Sequence, residues 1–214
     1  MSQILRIEGA LNAWAQVKNN ACVVRRLFSN GSFFTITNSD FAQNSRYINE
    51  KLYAYLGIED DNLVFILIPD SLDGKPLSDL TSAELESIVI KPFTADLLFN
   101  NNNLLKNCED GPDISILDAL KNYQLWQLNR NRYINCEVSN PKGFMDLFVM
   151  PKSNFEAAFN RNACTELYCS LGLRAENDDI SVQGYIAEII SLGAGTNGMT
   201  VPYDTTVPSP PYGK

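Results

Sequence analysis

Apolar residues recur at helical spacing from the start of the chain: Ile4, Ile7, Leu11, Trp14 and Val17. Positions three and four apart share one helix face, so this pattern predicts an amphipathic helix over residues 3–18. Gly9 lies inside it and weakens it, because glycine has the most backbone freedom to lose. The pattern then changes. "ACVVRRLFSNGSFFTIT" sets two runs rich in Val, Phe, Ile and Thr on either side of Asn30-Gly31. That dipeptide tolerates the positive φ angles of a tight turn, so residues from about 21 to 37 are predicted to form a β-hairpin.

Helical spacing returns in "NSDFAQNSRYINEKLYAYLG". Ser39 or Asp40 can cap it, Phe41, Ile48, Leu52 and Tyr55 share a face, and Arg46 and Glu50 stand one turn apart. Gly57 supplies a stop. "NLVFILIPD" is apolar without interruption, which predicts a strand over 62–68 buried on both faces near the middle of a sheet. "SLDGKPLSDL" reads as a loop, and "TSAELESIVI" as a capped helical turn at Thr81 or Ser82 that runs into a strand at Ile88–Ile90. The asparagine-rich "NNNNLLKNCEDGPD" marks a surface loop. Residues 114–129 are predicted helical, with Ile114, Leu117, Leu120 and Leu128 turned inward. "GFMDLFVMP" reads as a strand and "SNFEAAFNR" as a helix. "CTELYCSLGLRAEND" and "ISVQGYIAEIISL" carry both periods, with alternation at Ile180, Val182 and Tyr185. Helices and strands interleave without a strict β-α-β order. The predicted class is α+β: a mixed sheet holding the hairpin and the buried strand, packed with several helices.

The pattern stops at the end. "VPYDTTVPSPPYGK", Val201 to Lys214, has no apolar run and four prolines. Residues 1–195 therefore read as one globular domain and 196–214 as a glycine-to-proline arm. Prolines favour the extended polyproline conformation and lose little entropy on docking. At ~3.1 Å per residue, the last fourteen residues reach about 43 Å, enough to cross a domain. The arm is expected to lie against a protein surface, its own or a neighbour's. Its candidate partner-binding residues are Tyr203, Pro208, Pro210, Pro211 and Tyr212, with the two tyrosines as anchors that bury a ring and keep a hydroxyl wet.

Composition supports one sizeable core, since 45% of the 214 residues are apolar. Charge adds an asymmetry. The net is −8, yet residues 58–90 hold eight acids against Lys75 alone, while residues 121–161 hold six bases against three acids. An acidic total argues against a nucleic-acid backbone or an anionic membrane as partner, because both need clustered Lys and Arg. Oppositely charged faces of neighbouring copies can instead steer each other. No stretch approaches the ~20 apolar residues of a membrane span. "MSQILRIEGALNAW" lacks the basic and apolar regions of a secretion signal. Five scattered cysteines read as reduced thiols, and the expected compartment is the cytoplasm.

Candidate chemistry is thin. The chain has no histidine, which removes Ser-His-Asp and Cys-His nucleophilic sites and histidine-containing zinc sites. Gly193 to Gly198 spells G-x-G-x-x-G, but Pro202 follows too soon for the helix that would hold a pyrophosphate, so a hinge is the better reading. Asp70 and Asp73 follow the buried strand, with Lys75 nearby. Two carboxylates there can hold a divalent metal for hydrolysis or phosphoryl transfer, with Lys75 on a phosphate; an Asp-Gly turn with solvated acids is the better reading. Cys164-x₄-Cys169 has no second cysteine pair to complete a metal site. No cofactor and no metal are expected. The leading expectation is a non-catalytic cytoplasmic interaction or assembly protein that associates with itself or docks on a protein partner, using the arm as a strap. The alternative is a carboxylate- and metal-dependent enzyme built on Asp70 and Asp73.

Overall fold

The computed structural model describes residues 2–95, 108–140, 143–175, 184–195, 200–204 and 207–209. Helix α1, Gln3–Val17, starts where the Ser2 side chain accepts the Leu5 N–H. Its buried residues, Ile7, Ala10 and Trp14, fall three to four apart as the sequence predicts. Ile7 and Ala10 pack against Val64, Ile66 and Ile68. Trp14 reaches into the main core instead, where its indole N–H donates to the Met145 carbonyl at 3.2 Å.

The predicted hairpin does not form: only its second half is a strand, and that strand pairs with a distant part of the chain. Residues Ala21–Ser29 form a helix, α2, not a strand, and Phe33–Thr37 form β1. The Asn20 side chain accepts from the N–H groups of Cys22 and Val23, which starts a helix. Val24, Leu27 and Phe28 then reach the core together on one face. Burial of that face overrides the strand preference of valine and phenylalanine. Gly31 is required by close approach: a Cβ there would lie 2.3 Å from the Phe93 ring.

The second helical pattern also splits. Helix α3 covers only Asn38–Asn44, closed at its start by a reciprocal Thr37–Asp40 capping box. Lys51–Glu59 is strand β2. Leu52, Ala54 and Leu56 are fully buried at period two, and this alternation competes with the helical spacing of Ile48, Leu52 and Tyr55. A tight turn at Asp60 and Asp61, both at positive φ, leads into β3, Asn62–Pro69. Every residue of β3 after Asn62 is buried, as the unbroken apolar run requires.

A short 3₁₀ turn (Leu77–Asp79), α4 (Ser82–Glu86) and β4 (Val89–Pro92) follow. Then come α5 (Ile116–Val138), β5 (Leu147–Pro151) and α6 (Lys152–Phe155), which runs on as a π-helical turn over Glu156–Arg161. Strands β6 (Cys164–Ala175), β7 (Tyr185–Gly195), β8 (Thr200–Asp204) and β9 (Val207–Ser209) complete the order. Among the described residues, no helix is long and apolar enough to cross a membrane.

The chain is an α+β protein. Its strands form two sheets, in the orders β1-β6-β7-β8 and β4-β3-β2-β5-β9. All pairings between named strands are antiparallel, so neither sheet is mixed. The sheets close on each other at both ends. At one seam, Ser32 N–H donates to the Thr94 carbonyl (2.7 Å) and Thr94 N–H returns to the Phe33 carbonyl (2.9 Å), joining the β1 edge to the β4 side. At the other, the chain leaves β8 in the first sheet and enters β9 in the second, with β9 beside β7. The main core lies between the sheets and includes Phe34, Phe65, Phe148, Leu171, Ile189 and Tyr203. Closure of this kind leaves few free edges for unwanted strand pairing.

Helix α5 turns a different face inward than its leucines suggest. Ala119, Asn122, Trp126, Tyr133, Ile134 and Glu137 are buried. Leu117 and Leu128 stand 75% and 81% exposed. Trp126 and Tyr133 bring the larger apolar area to the core, where Trp126 packs edge-on against Phe28, and that decides the rotation of the helix.

Candidate functional site

Asp70, Asp73 and Lys75 lie just past β3, as the sequence places them, but each is engaged with a different part of the chain. The Asp70 carboxylate accepts three backbone N–H groups, from Asn49 (2.7 Å), Glu50 (2.9 Å) and Lys51 (3.2 Å). It therefore ties the residue after β3 to the entry of β2. Partial burial pushes its pKa up, but the backbone N–H groups of Glu50, Asn49, Lys51 and Ser71 together pull it below the ordinary carboxylate value. Asp73 accepts the Tyr55 hydroxyl at 2.6 Å, and burial followed by this bond pushes the Tyr55 phenol well above its ordinary pKa. The Lys75 ammonium is 3.6 Å from Glu84, which caps α4 through Thr81. Among the described residues, no group of three or more His, Cys, Asp or Glu side chains comes together as a metal would need.

The Asp70 clamp yields a pH test. A carboxylate with a lowered folded pKa stabilises the protein above its ordinary pKa, and this contribution is lost as pH falls through the folded value. Asp70→Asn is expected to cost about 1–2 kcal/mol at neutral pH, since bonds to the ionised acceptor become weaker or are lost. The gap from wild type should begin to shrink near the ordinary carboxylate pKa of about 4 and keep shrinking as pH falls through the lowered folded value. Urea midpoints across that range check it, and a gap independent of pH would remove the clamp.

The arm residues separate into those the structure describes and those it does not. Tyr203, in β8, is fully buried. Its hydroxyl accepts from the Asn162 amide at 2.6 Å. Burial pushes its phenol up to about 12, against the pull of Asn162 and with a further push from Cys164. Pro202 lies opposite Leu192 on β7, and Pro208 opposite Phe148 on β5. The Thr200 carbonyl accepts from the Glu109 N–H, so β8 is covered on its outer side by residues 108 and 109. Pro210, Pro211 and Tyr212 lie outside the described residues.

Cys164 and Cys169 are both buried, with free thiols. Burial pushes the Cys169 thiol up to about 12, although Ser191, 3.3 Å away, and Lys91 pull it down. Such a thiol is a poor nucleophile at neutral pH. Gly193 stands in β7, where a Cβ would lie 2.7 Å from the Cys164 sulfur. The glycine accommodates packing there, while Gly198 lies outside the described residues.

Two features were not singled out from the sequence. The first is a buried polar node. Glu188 of β7 is fully buried, accepts from the Asn122 amide of α5 at 2.7 Å, and lies 3.6 Å from the Arg174 guanidinium of β6. A lone acid inside the apolar run "YIAEIISL" is the signal that would have found it. The second is an open cleft of about 390 Å³ between α1 and the end of β2. Leu5, Gly9, Ala10 and Ile58 line its apolar side, and Asp60 stands at its rim. Arg6 also lines it, but its guanidinium is held by both carboxylate oxygens of Glu59, the second at 2.7 Å. Gly9 inside a helix is the trace of this cleft in the sequence.

No family model matches the chain, and no match was found among curated proteins or solved structures. The functional reading therefore rests on the residues themselves.

Proposed function

We propose that this is a non-catalytic interaction and assembly protein that associates with copies of itself, with its C-terminal segment acting as the strap that holds the body in shape. One observation carries the reading: large apolar side chains stand in water on helices of a body whose sheets are otherwise closed. Leu5 is 61% exposed on α1, and Leu117 and Leu128 project from α5. Single exposed leucines are ordinary, but two on one face of one helix mark a surface suited to a partner. The prolines in β8 and β9 lack N–H groups, which disfavours growth by strand addition and directs association to the helices. The chemistry-bearing side chains past β3 meanwhile hold loops and caps. Five cysteines, none of them in a disulfide, suit a reducing compartment, and the cytoplasm is the proposed location.

The test uses the intact chain. Sedimentation velocity from micromolar to millimolar concentration should show a mass that rises with concentration, at a midpoint that weakens with added salt. A single monomeric species across the whole range would end the proposal.

A further inference from the structure

We infer that the self-association proposed above is head-to-tail: the outer stripe of α5 in one copy seats in the cleft between α1 and the β2–β3 turn of the next. The inference rests on that reading and specifies its surfaces.

The stripe follows from helix geometry. At 100° per residue, Leu117, Lys121, Gln124, Leu128 and Arg132 fall within one outward sector of α5. All five are exposed. The two leucines are eleven residues apart, about 16 Å along the axis. The stripe thus presents two apolar knobs with two cations beside them. Asp118, at its margin, is held by the Ser115 hydroxyl at the start of the helix.

The cleft is the complement in shape and in charge. Its apolar side is made by Leu5, Gly9, Ala10 and Ile58, and its volume of about 390 Å³ admits a leucine side chain. Asp60 and Asp61 stand exposed at the turn beside it. Arg6 brings no free charge, because Glu59 engages it. A leucine entering from a second copy would find apolar walls, and the Lys121 or Arg132 that accompanies it would find acids. The chain as a whole repeats this complementarity, with its acidic surplus in residues 58–90 and basic surplus in 121–161.

Gly9 is an independent pointer. It stands in the middle of α1, where alanine would favour the helix more. A Cβ built there meets nothing within 4 Å, so packing within the chain does not require glycine. Its bareness keeps the cleft open.

The stripe and the cleft are different surfaces, so a single contact leaves a free cleft on one copy and a free stripe on the other. Repetition gives an open filament or a closed ring, the smallest ring being a reciprocal dimer in which each stripe fills the other copy's cleft. This property makes a decisive test. Leu117→Glu/Leu128→Glu removes the knobs at positions already in water. Gly9→Arg fills the cleft with a good helix former and reverses its charge. Each variant alone should lose association by tenfold or more, since each removes a buried apolar contact and sets like charges or an unpaired acid in its place. An equimolar mixture still holds one good knob and one good cleft. It should form a dimer and stop there, read as twice the monomer mass in sedimentation velocity.

Circular dichroism and melting of both variants should match wild type, which separates lost contact from lost fold. A wild type that associates while both variants associate equally well overturns this contact and leaves the self-association reading standing. A Gly9→Arg variant that still forms wild-type assemblies, with only the leucine variant affected, points to stripe-on-stripe pairing and overturns the cleft. A wild type that stays monomeric at millimolar concentration overturns both readings.

Discussion

Tyr203→Ala is expected to cost about 3–5 kcal/mol of stability, the range for deleting a large buried ring whose site cannot collapse. A protein of this size has about 5–15 kcal/mol in total, so the variant should sit close to the edge of folding. The magnitude follows from where Tyr203 stands. It is fully buried, and it belongs to the same core as Phe34, Phe65, Phe148 and Leu171 from both sheets. Its hydroxyl is bonded to Asn162, beyond the π-helical turn. Loss of the ring would open the seam where β8 passes to β9 and leave the Asn162 amide without this bond. Tyr203→Phe keeps the ring and should cost only about 0.5–1.5 kcal/mol, the net value of one hydrogen bond. At roughly 2–4 °C per kcal/mol for a chain of this length, the alanine variant should melt about 6–20 °C below wild type. Calorimetry or a denaturant midpoint reads both. An alanine variant as stable as wild type would show that the segment from Thr200 onward does not hold the two sheets together.

How far the sequence reveals this architecture depends on how one-sided each segment's environment is. Helix α1 packs one stripe against a sheet and leaves the other in water, so its period is plain in Ile4, Ile7, Leu11 and Trp14. Strand β3 is buried on both faces, and "LVFILI" says so directly. The misread segments have two competing periods. Val24, Leu27 and Phe28 lie on one helix face, yet valine and phenylalanine also favour strands, and only the closure of the core over them decides. Leu52 and Leu56 are four apart, which suits a helix, and also even-numbered steps along a strand, which is what β3 requires of its neighbour. In α5 the inward face carries Asn122 and Glu137, and a reading by hydropathy takes such residues for the outside.

The candidate sites are legible to a different degree. Asp70 and Asp73 were visible because an acid after a buried strand stands out, but their backbone and tyrosine partners come from residues 49–55, on the neighbouring strand and its entry. The sequence cannot show that a carboxylate is occupied by amides some twenty positions away. Gly9 was visible as a weak point in a helix, and its meaning appeared only when the space above it proved empty. The arm was visible through its prolines, whereas its two routes into two sheets depend on strand edges fixed by the whole fold.

The second large effect is expected at Arg174. Replacing it by methionine should cost about 2–3 kcal/mol, below the 3–5 of a fully buried pair because its guanidinium is partly solvated. Glu188 is the reason. Its carboxylate is fully buried in β7, directly opposite Gly172 on β6, and it reaches across to Asn122 of α5. Gly172 makes room for it: a Cβ there would lie 3.2 Å from the Glu188 oxygen and 2.5 Å from the Ile190 side chain. The node thus joins α5 to the β1-β6-β7-β8 sheet, with the cation of Arg174 offsetting the charge at 3.6 Å. Without that cation, a charge out of water is compensated by fewer partners, and the loss falls on the folded state alone. Glu188→Gln removes the charge while keeping an oxygen for the Asn122 amide, and alone should cost about 1 kcal/mol. The decisive measurement is the double variant. If the two side chains act as a charge pair, Arg174→Met/Glu188→Gln should be less destabilised than the sum of the single changes by about 1–2 kcal/mol, because the charge that needed Arg174 is gone. Strict additivity would mean that Arg174 contributes only the packing of its stem, and that Glu188 is held by α5 and its own sheet.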